Sequence, residues 1–223
     1  MSRGCKVCDP APSMKRRPPP TSGRKSQARS NDRRILDAAR EVFLANPEAP
    51  VSLVARRAAV GIGSLYRRYR SKNALLGRIC LEGLQRYIAE AEAALADPGE
   101  PWAVYVAFMR RIVDADTHSY VLRFAGAFRP SKALYREAAR AQALNLELFD
   151  RTKATGVFRA GIEATDIAVL FEQLAAIRLG DSRRTAQLRS RYLALIVESL
   201  GARAAAALPG PVPTWDEINS RWK

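Results

Sequence analysis

The sequence contains little cysteine, little histidine and no long apolar run. Its 223 residues include three cysteines, Cys5, Cys8 and Cys80, and one histidine. Cysteines this few and this unevenly spaced do not make the disulfide framework of a small secreted domain. No segment approaches the roughly 20 apolar residues of a membrane-spanning helix, and the N-terminal residues lack an apolar signal-peptide segment. We therefore expect a protein of the reducing cytoplasm that has no membrane partner.

Motifs of common catalytic and metal sites are also missing. The chain has no G-x-S-x-G, no H-E-x-x-H and no G-x-x-x-x-G-K-[ST], and a single histidine leaves little for general acid–base catalysis. Cys5 and Cys8 have the spacing of half a zinc site, but no second pair of cysteines or histidines follows to complete the ligand set. We predict that the protein is not an enzyme and binds neither metal nor cofactor, although catalysis by isolated carboxylates stays open.

Positive charge, by contrast, is abundant and is concentrated in the N-terminal third. The formal net charge is +15. Residues 1–34 hold ten lysines and arginines against two acids, and residues 49–81 hold seven against none. A merely solvated surface normally mixes both signs, so a basic stretch without acids indicates a polyanionic partner such as nucleic acid. Residues 82–223, with nineteen basic and seventeen acidic residues, show no such bias.

Hydrophobic spacing predicts an all-α chain of about nine helices. Residues 1–30 are rich in proline and in basic residues and have little to bury, which predicts a disordered basic tail. From Asn31 apolar residues recur at helical spacing, and a second, short helix is predicted from about Pro50 to Ala59. A third helix covers GSLYRRY, and a long fourth helix follows Ser71 as N-cap. After Pro98-Gly99-Glu100-Pro101, further helices are predicted at roughly 102–115, 118–128, 131–154, 165–179 and 182–200.

The second and third predicted helices are joined by a tight connection, which is the layout of a helix-turn-helix. In this motif the last helix enters the major groove of DNA and the preceding helix crosses the backbone. Leu65 and Tyr69 are four residues apart in the third helix and are expected to face the core. The residues that this leaves on the outer face or at its edge are Ser64, Tyr66, Arg67 and Arg68.

The stretch Ala58–Leu76, AAVGIGSLYRRYRSKNALL, resembles the signature of TetR/AcrR-type transcriptional regulators. The resemblance covers about residues 31–84 at motif level and extends over the rest only as chain length and helix count. There are departures: Ala59 replaces a glycine common in the turn, Gly61 replaces a serine that often caps the recognition helix, and Pro50 stands where a serine or threonine often opens the second helix. The residues at matching spacing are Gly63, Ser64, Leu65, Tyr66, Tyr69, Ser71, Lys72 and Leu75.

The resemblance implies which residues contact DNA. Gly63, Ser64 and Tyr66 are expected to approach the phosphate backbone, and Lys72 is expected to bind a phosphate at the N-terminus of the fourth helix. The candidates for base edges are Ile62, Ser64 and Arg67, with Ile62 against a thymine methyl group and Arg67 against guanine. The complete predicted DNA-binding set is Ser52, Ile62, Gly63, Ser64, Tyr66, Arg67, Arg68 and Lys72.

The resemblance also implies an effector pocket and a homodimer. The pocket is expected among Trp102, Tyr105, Met109, His118, Tyr120, Phe124 and Phe171, although aromatic residues at helical spacing more often form core, and that alternative stays open for each of them. The last two helices of each subunit are expected to form a four-helix dimer interface. Its predicted residues are Leu170, Leu174, Leu188, Tyr192, Leu195 and Ile196.

These features predict a helix-turn-helix domain over residues 31–78, joined by the long fourth helix to an effector-binding and dimerisation domain over 79–202, with a C-terminal tail over 203–223. The predicted function is sequence-specific regulation of transcription, by family habit as a repressor. Such a protein binds double-stranded DNA at a palindromic operator as a homodimer and is released by a small-molecule effector. The alternative is a nonspecific basic nucleic-acid-binding protein whose affinity comes from the basic tail.

Overall fold

The computed structural model describes residues 21–202 and 207–220, and these contain ten α-helices and no β-strand. The predicted all-α fold is therefore confirmed, with one helix more than expected, at the C-terminus. Within the described ranges no helix is long and apolar enough to cross a membrane. Cys5, Cys8 and the other residues up to position 20 lie outside the described part of the chain. The helices are α1 (Thr21–Ala45), α2 (Val51–Arg57), α3 (Ile62–Arg68), α4 (Lys72–Ala96), α5 (Pro101–Asp114), α6 (Thr117–Phe124), α7 (Lys132–Lys153), α8 (Ala164–Ala176), α9 (Ser182–Leu200) and α10 (Trp215–Asn219).

Three helix ends differ from the sequence-based expectation. Helix α1 begins at Thr21 instead of Asn31, so residues 21–30 are helical where a disordered tail was expected. No proline follows Pro20 in this stretch, and its lysine, arginine, glutamine and alanine residues favour helix. Helix α6 ends at Phe124, before Gly126 at φ +75°, and α8 ends at Ala176 because its C-cap residue, Ile177, is extended.

A compact hydrophobic core holds α1, α2 and α3 against the first half of α4. Leu65 of α3 is fully buried in it, and Tyr69 is nearly so, as the spacing of these two residues predicted. Removing a leucine side chain from water stabilises the fold by about 1.5–3 kcal/mol. A seven-residue helix such as α3 does not persist alone in water, so this burial fixes its position. The other fully buried side chains here include Phe43, Leu75, Leu76 and Ile79.

The second half of α4 packs with α5, α7, α8 and α9 around a second, larger core. Tyr105 and Phe149 lie at its centre, and each packs edge-on or stacked against Phe158. Met109 is also fully buried. Side chains cap the starts of these helices: Ser131 accepts from the Leu134 amide at the start of α7, as Ser71 does from Ala74 at the start of α4.

Helix α6 belongs to both halves of the molecule. At its C-terminal end Phe124 is fully buried in the N-terminal core, together with Phe128 of the following loop. Arg123 donates to the carbonyl oxygens of Leu44 and Ala45, both at 3.0 Å. These two carbonyls end α1 and would otherwise have no partner within the helix. The C-terminal end of α6 is thus attached to the helix-turn-helix core, which extends beyond the predicted domain boundary at residue 78.

The N-terminal end of α6 is attached to α8 and α9 by a buried arginine. Arg189 of α9 is 5% exposed, and its Nη1 donates to Asp116 Oδ1 at 2.5 Å. Its remaining nitrogens donate to Ser119 Oγ and to the carbonyl oxygens of Ala175 and Ile177, at 3.2, 2.8 and 3.2 Å. A buried guanidinium needs hydrogen-bond acceptors for its N–H groups and a carboxylate for its charge, because an unpaired buried charge is strongly destabilising.

The double attachment of α6 makes Phe124 a sensitive position. We expect Phe124→Ala to lower the free energy of unfolding by about 3–5 kcal/mol, because it leaves a cavity in a core that packs elements from both halves. Urea unfolding at fixed protein concentration measures this. Leu208→Ala, at an exposed position, is the matched control and should stay within about 0.5 kcal/mol of the parent. A loss of less than about 1 kcal/mol for Phe124→Ala would contradict the assignment of this side chain to the core.

Candidate nucleic-acid interface and ligand cavity

The turn between α2 and α3 is closed by backbone hydrogen bonds. The Val60 amide donates to Ala55 O at 3.0 Å and the Ala59 amide to Arg56 O at 3.1 Å, the pattern of a Schellman C-cap. Ala59 sits at φ +51°, where glycine is usual, and a residue with a Cβ pays about 1–2 kcal/mol for this conformation. Arg34 of α1 offsets part of that cost, because it donates to Ala58 O at 2.6 Å. The alanine noted in the sequence is therefore accommodated.

Helix α3 buries one face and presents the other to solvent. Ile62 and Tyr66 are 43% and 47% exposed, and Gly63 and Arg67 are exposed beside them. Large apolar side chains that are exposed among basic residues indicate a surface that binds a partner. Ser52 of α2 is exposed, and Ser64 is half-buried.

Lys72 is held at the first position of α4. Its Nζ lies 5.5 Å from the centroid of the Phe43 ring and 3.9 Å from Glu48 Oε2. Ser71 caps the helix by accepting from the Ala74 amide at 3.1 Å. Lys72 is thus a basic residue in the first turn of a helix, where the helix dipole also favours an anion. Asn73 exchanges two hydrogen bonds with the backbone of Arg129, at 2.8 and 3.2 Å, and so fixes the loop after α6 next to this site.

Arg68 was expected to contact DNA, but its guanidinium is bound to a carboxylate of the same chain. Its Nε and Nη2 donate to the two carboxylate oxygens of Asp32 at 2.8 and 2.9 Å, and Tyr69 Oη donates to the same carboxylate at 2.7 Å. The hydrogen bond from Arg68 is the main cause that holds the pKa of Asp32 below its ordinary value. The pair ties α3 to α1. Within the described residues Arg56, Arg67 and Arg70 take part in no ion pair.

Comparison with known proteins agrees with this geometry. Residues 35–79 match the model of the bacterial regulatory proteins of the tetR family. Among solved structures, a TetR regulator from Streptomyces coelicolor is 26% identical, covers 77% of this chain and 98% of its own, and superposes with a TM-score of 0.52. One from Mycobacterium vanbaalenii is 25% identical, covers 79% and 98%, and has a TM-score of 0.53.

Residues 35–79 thus form a DNA-binding domain of the tetR type, and the chain as a whole has the fold of TetR-type regulators. The helix-turn-helix resemblance is thereby confirmed. LfrR of Mycobacterium smegmatis, solved in complex with proflavine, shares the fold at 21% identity, with a TM-score of 0.53 over 81% of this chain and 99% of its own. No curated protein sequence matches the chain significantly.

The C-terminal part of the regulator contains a cavity of about 460 Å³. It lies between α4, α6, α7 and α8, and α10 forms one side of it. Most of its wall is apolar, with several alanines that leave space. The lining residues are Cys80, Gly83, Leu84, Tyr87, Thr117, His118, Tyr120, Pro130, Leu134, Tyr135, Ala138, Ala139, Ala141, Gln142, Asn145, Ala168, Phe171, Glu172, Trp215, Ile218 and Asn219.

Three of the predicted pocket residues line this cavity. His118 stacks on Phe171 with ring centroids 4.7 Å apart, and Tyr120 forms the wall next to Gly83, where an added Cβ would lie 3.2 Å from the Tyr120 ring. Desolvation lowers the pKa of His118 to about 4, so this imidazole is neutral at physiological pH. The Tyr87 ring packs edge-on against His118, and its Oη donates to Asn145 Oδ1 at 2.8 Å.

The other predicted pocket residues do not reach the cavity. Tyr105 and Met109 are fully buried in the C-terminal core, Phe124 lies in the N-terminal core, and Trp102 packs on Phe158. For these four residues the structure therefore supports the alternative role, packing in a hydrophobic core. The sequence reasoning missed the contribution of α7 and of α10. The Thr214-x-x-Glu217 capping box was a readable signal for α10.

The predicted dimer residues divide between the core and the surface. Leu174 and Leu188 are buried within the subunit, at 2% and 9% exposure, because α8 and α9 pack on α5 and α6 and on each other. They are not available to a partner. Tyr192 and Leu195 are 45% and 54% exposed on the outer face of α9, and Leu170 and Ile196 are half-buried beside the core.

The Arg68–Asp32 pair yields a prediction for DNA binding. We expect Asp32→Asn to tighten binding to a scrambled duplex and to steepen the dependence of that affinity on salt by about one phosphate contact, because it removes a negative charge and releases Arg68. Fluorescence anisotropy at several salt concentrations measures both. Asp37→Asn, whose partner is Arg40 on the same helix, is the matched control. An unchanged salt dependence in Asp32→Asn would show that Arg68 gains no phosphate contact when released.

Asp32→Asn should also change how the free energy of unfolding depends on pH. The folded pKa of Asp32 is lowered from 3.8, so the pair stabilises the folded chain above that pH and loses its contribution as the pH falls through the folded pKa. The difference in stability between the parent and Asp32→Asn should therefore be largest at neutral pH and shrink in acid.

Proposed function

We propose that this regulator is a sequence-specific DNA-binding repressor that acts as a homodimer on a palindromic operator and is released by a small-molecule effector. One observation carries the proposal: α3 rests on a buried leucine and presents Ile62, Tyr66 and Arg67 outward. An exposed helix of this kind, held rigidly and without acidic residues, fits the major groove.

The roles of individual side chains follow from their positions. Arg67 takes part in no ion pair within the described residues, and its guanidinium suits the O6 and N7 atoms of guanine. Ile62 suits a thymine methyl group. We assign contacts with the sugar–phosphate backbone, which position the protein without reading sequence, to Ser52, Gly63, Ser64, Tyr66 and Lys72. Arg68 positions α3 through Asp32.

A homodimer is proposed because one α3 reads only a few base pairs. Two copies must be held about 34–36 Å apart to read both halves of a palindrome. The outer face of α9, with Tyr192 and Leu195, is the exposed apolar surface in the described residues that is best placed for this. Leu179, in the loop before α9, is also exposed, at 61%.

The cavity favours an effector that is aromatic and largely apolar. A neutral His118 stacked on Phe171 offers a flat surface for a ring system, and the Tyr87–Asn145 pair offers polar atoms at one side. LfrR, which shares the fold, binds proflavine, an aromatic compound. An effector that pushes on His118 or Tyr120 acts on α6 directly, and α6 ends in the core that holds α3. Release from DNA then follows as a shift between two populations of the dimer.

Binding to selected DNA tests the proposal. Random-site selection supplies a duplex, and anisotropy compares it with a scrambled duplex at two salt concentrations. We expect Arg67→Ala to cost about 1–3 kcal/mol and to relax the preference at one base pair, whereas Lys72→Ala should weaken binding to all sequences alike. Arg110→Ala, exposed on α5, is the control. Binding that collapses with salt and shows no preference among duplexes would favour the alternative of a nonspecific nucleic-acid-binding protein.

A further inference from the structure

The cavity is bordered on one side by the chain's own C-terminal segment, residues 207–220. Trp215, Ile218 and Asn219 of α10 are part of its lining. The residues facing them from the body of the molecule come from α4, α6, α7 and α8. A segment from the end of the chain therefore supplies wall to a site that the rest of the fold would leave more open.

Two residues of the C-terminal segment cap the start of its short helix, α10. Thr214 and Glu217 form a reciprocal capping box: the Thr214 amide donates to Glu217 Oε2 at 2.7 Å, and the Glu217 amide donates to Thr214 Oγ1 at 3.2 Å. Such a box satisfies the first amides of a helix without help from neighbours. The N-terminal cap of α10 therefore comes from its own segment and does not depend on contacts with the body.

The attachment of the segment to the body is slight. Within residues 207–220 Ile218 is the one buried residue, and Trp215 is half-buried. Leu208 and Val212 are exposed, and Pro209, Pro211 and Pro213 have no amide to donate. By contrast, the chain just before the segment is fixed: Arg159 donates from its amide to Leu200 O at 2.9 Å and Ala202 to Val157 O at 2.8 Å.

We propose that α10 is a detachable wall of the ligand site, so that Ile218 and Trp215 close the cavity when docked and must withdraw for a ligand to enter or leave. The ligand it serves is the apolar, aromatic class named in the proposed function, and this part of the inference rests on that function. Closure by α10 would set how fast the cavity exchanges its contents. It would also add an indole and an aliphatic side chain to the surface that selects the ligand.

Binding of the dye 1-anilinonaphthalene-8-sulfonate tests this without DNA or effector. We compare the full chain with a variant that ends at Ala202, with Ile218→Asp and with Leu208→Asp, which adds the same charge to the same segment at an exposed position. The full chain and Leu208→Asp should bind the dye weakly. The shortened chain and Ile218→Asp should show several-fold higher dye fluorescence, with the helix content of α1 to α9 and the melting temperature unchanged.

A further variant locates the dye. Ala168→Trp fills the cavity from α8, and in the shortened chain it should abolish the gain in fluorescence. Equal dye binding by all four proteins would overturn the inference, and so would a gain that persists after the cavity is filled. Neither outcome depends on DNA binding. A chain that fails to select an operator but gains dye binding on shortening would lose the proposed function and keep the detachable wall.

Discussion

The rest of the structure depends on the attachment of α6 at both ends. Its C-terminal end is fixed by Phe124 in the helix-turn-helix core and by Arg123 on the last carbonyls of α1. Its N-terminal end is fixed by Arg189, which spans Asp116 and the end of α8. Between them His118 and Tyr120 line the cavity. Because packed cores do not deform smoothly, we expect a displacement at one end of a helix held in this way to reach the other end.

The DNA-facing surface depends on the same constraint. Helix α3 has one fully buried side chain, and Arg68 donates two hydrogen bonds to Asp32 of α1, so α1 helps to fix the position of α3. The end of α1 is in turn held by α6. Lys72 stands at the start of α4, and its neighbour Asn73 binds the loop that follows α6. The elements that carry the groups proposed to contact phosphate and bases are therefore linked, through α1 and the loop after α6, to the helix that borders the cavity.

Local patterns predicted much of this molecule, and contacts between distant residues account for what was missed. The four-residue spacing of Leu65 and Tyr69 placed α3 correctly, since helical periodicity fixes a face. The partner of Arg68 is 36 residues away in sequence, and no spacing rule reveals it. Leu174 and Leu188 have the same character as Leu195 in sequence, yet packing buries the first two and exposes the third. The cavity wall from α10 depends on where a five-residue helix docks.

Filling the cavity from within tests most directly whether α6 couples it to the DNA-binding face. Ala168→Trp places an indole beside Phe171 and acts as a permanent occupant, while Ala143→Trp adds the same side chain on the exposed face of α7. Anisotropy titration against the selected duplex compares both with the parent. The account predicts that Ala168→Trp weakens specific binding at least tenfold, about 1.4 kcal/mol, with the fold and melting temperature kept, and that Ala143→Trp does not. Equal affinity of all three folded proteins would contradict the coupling.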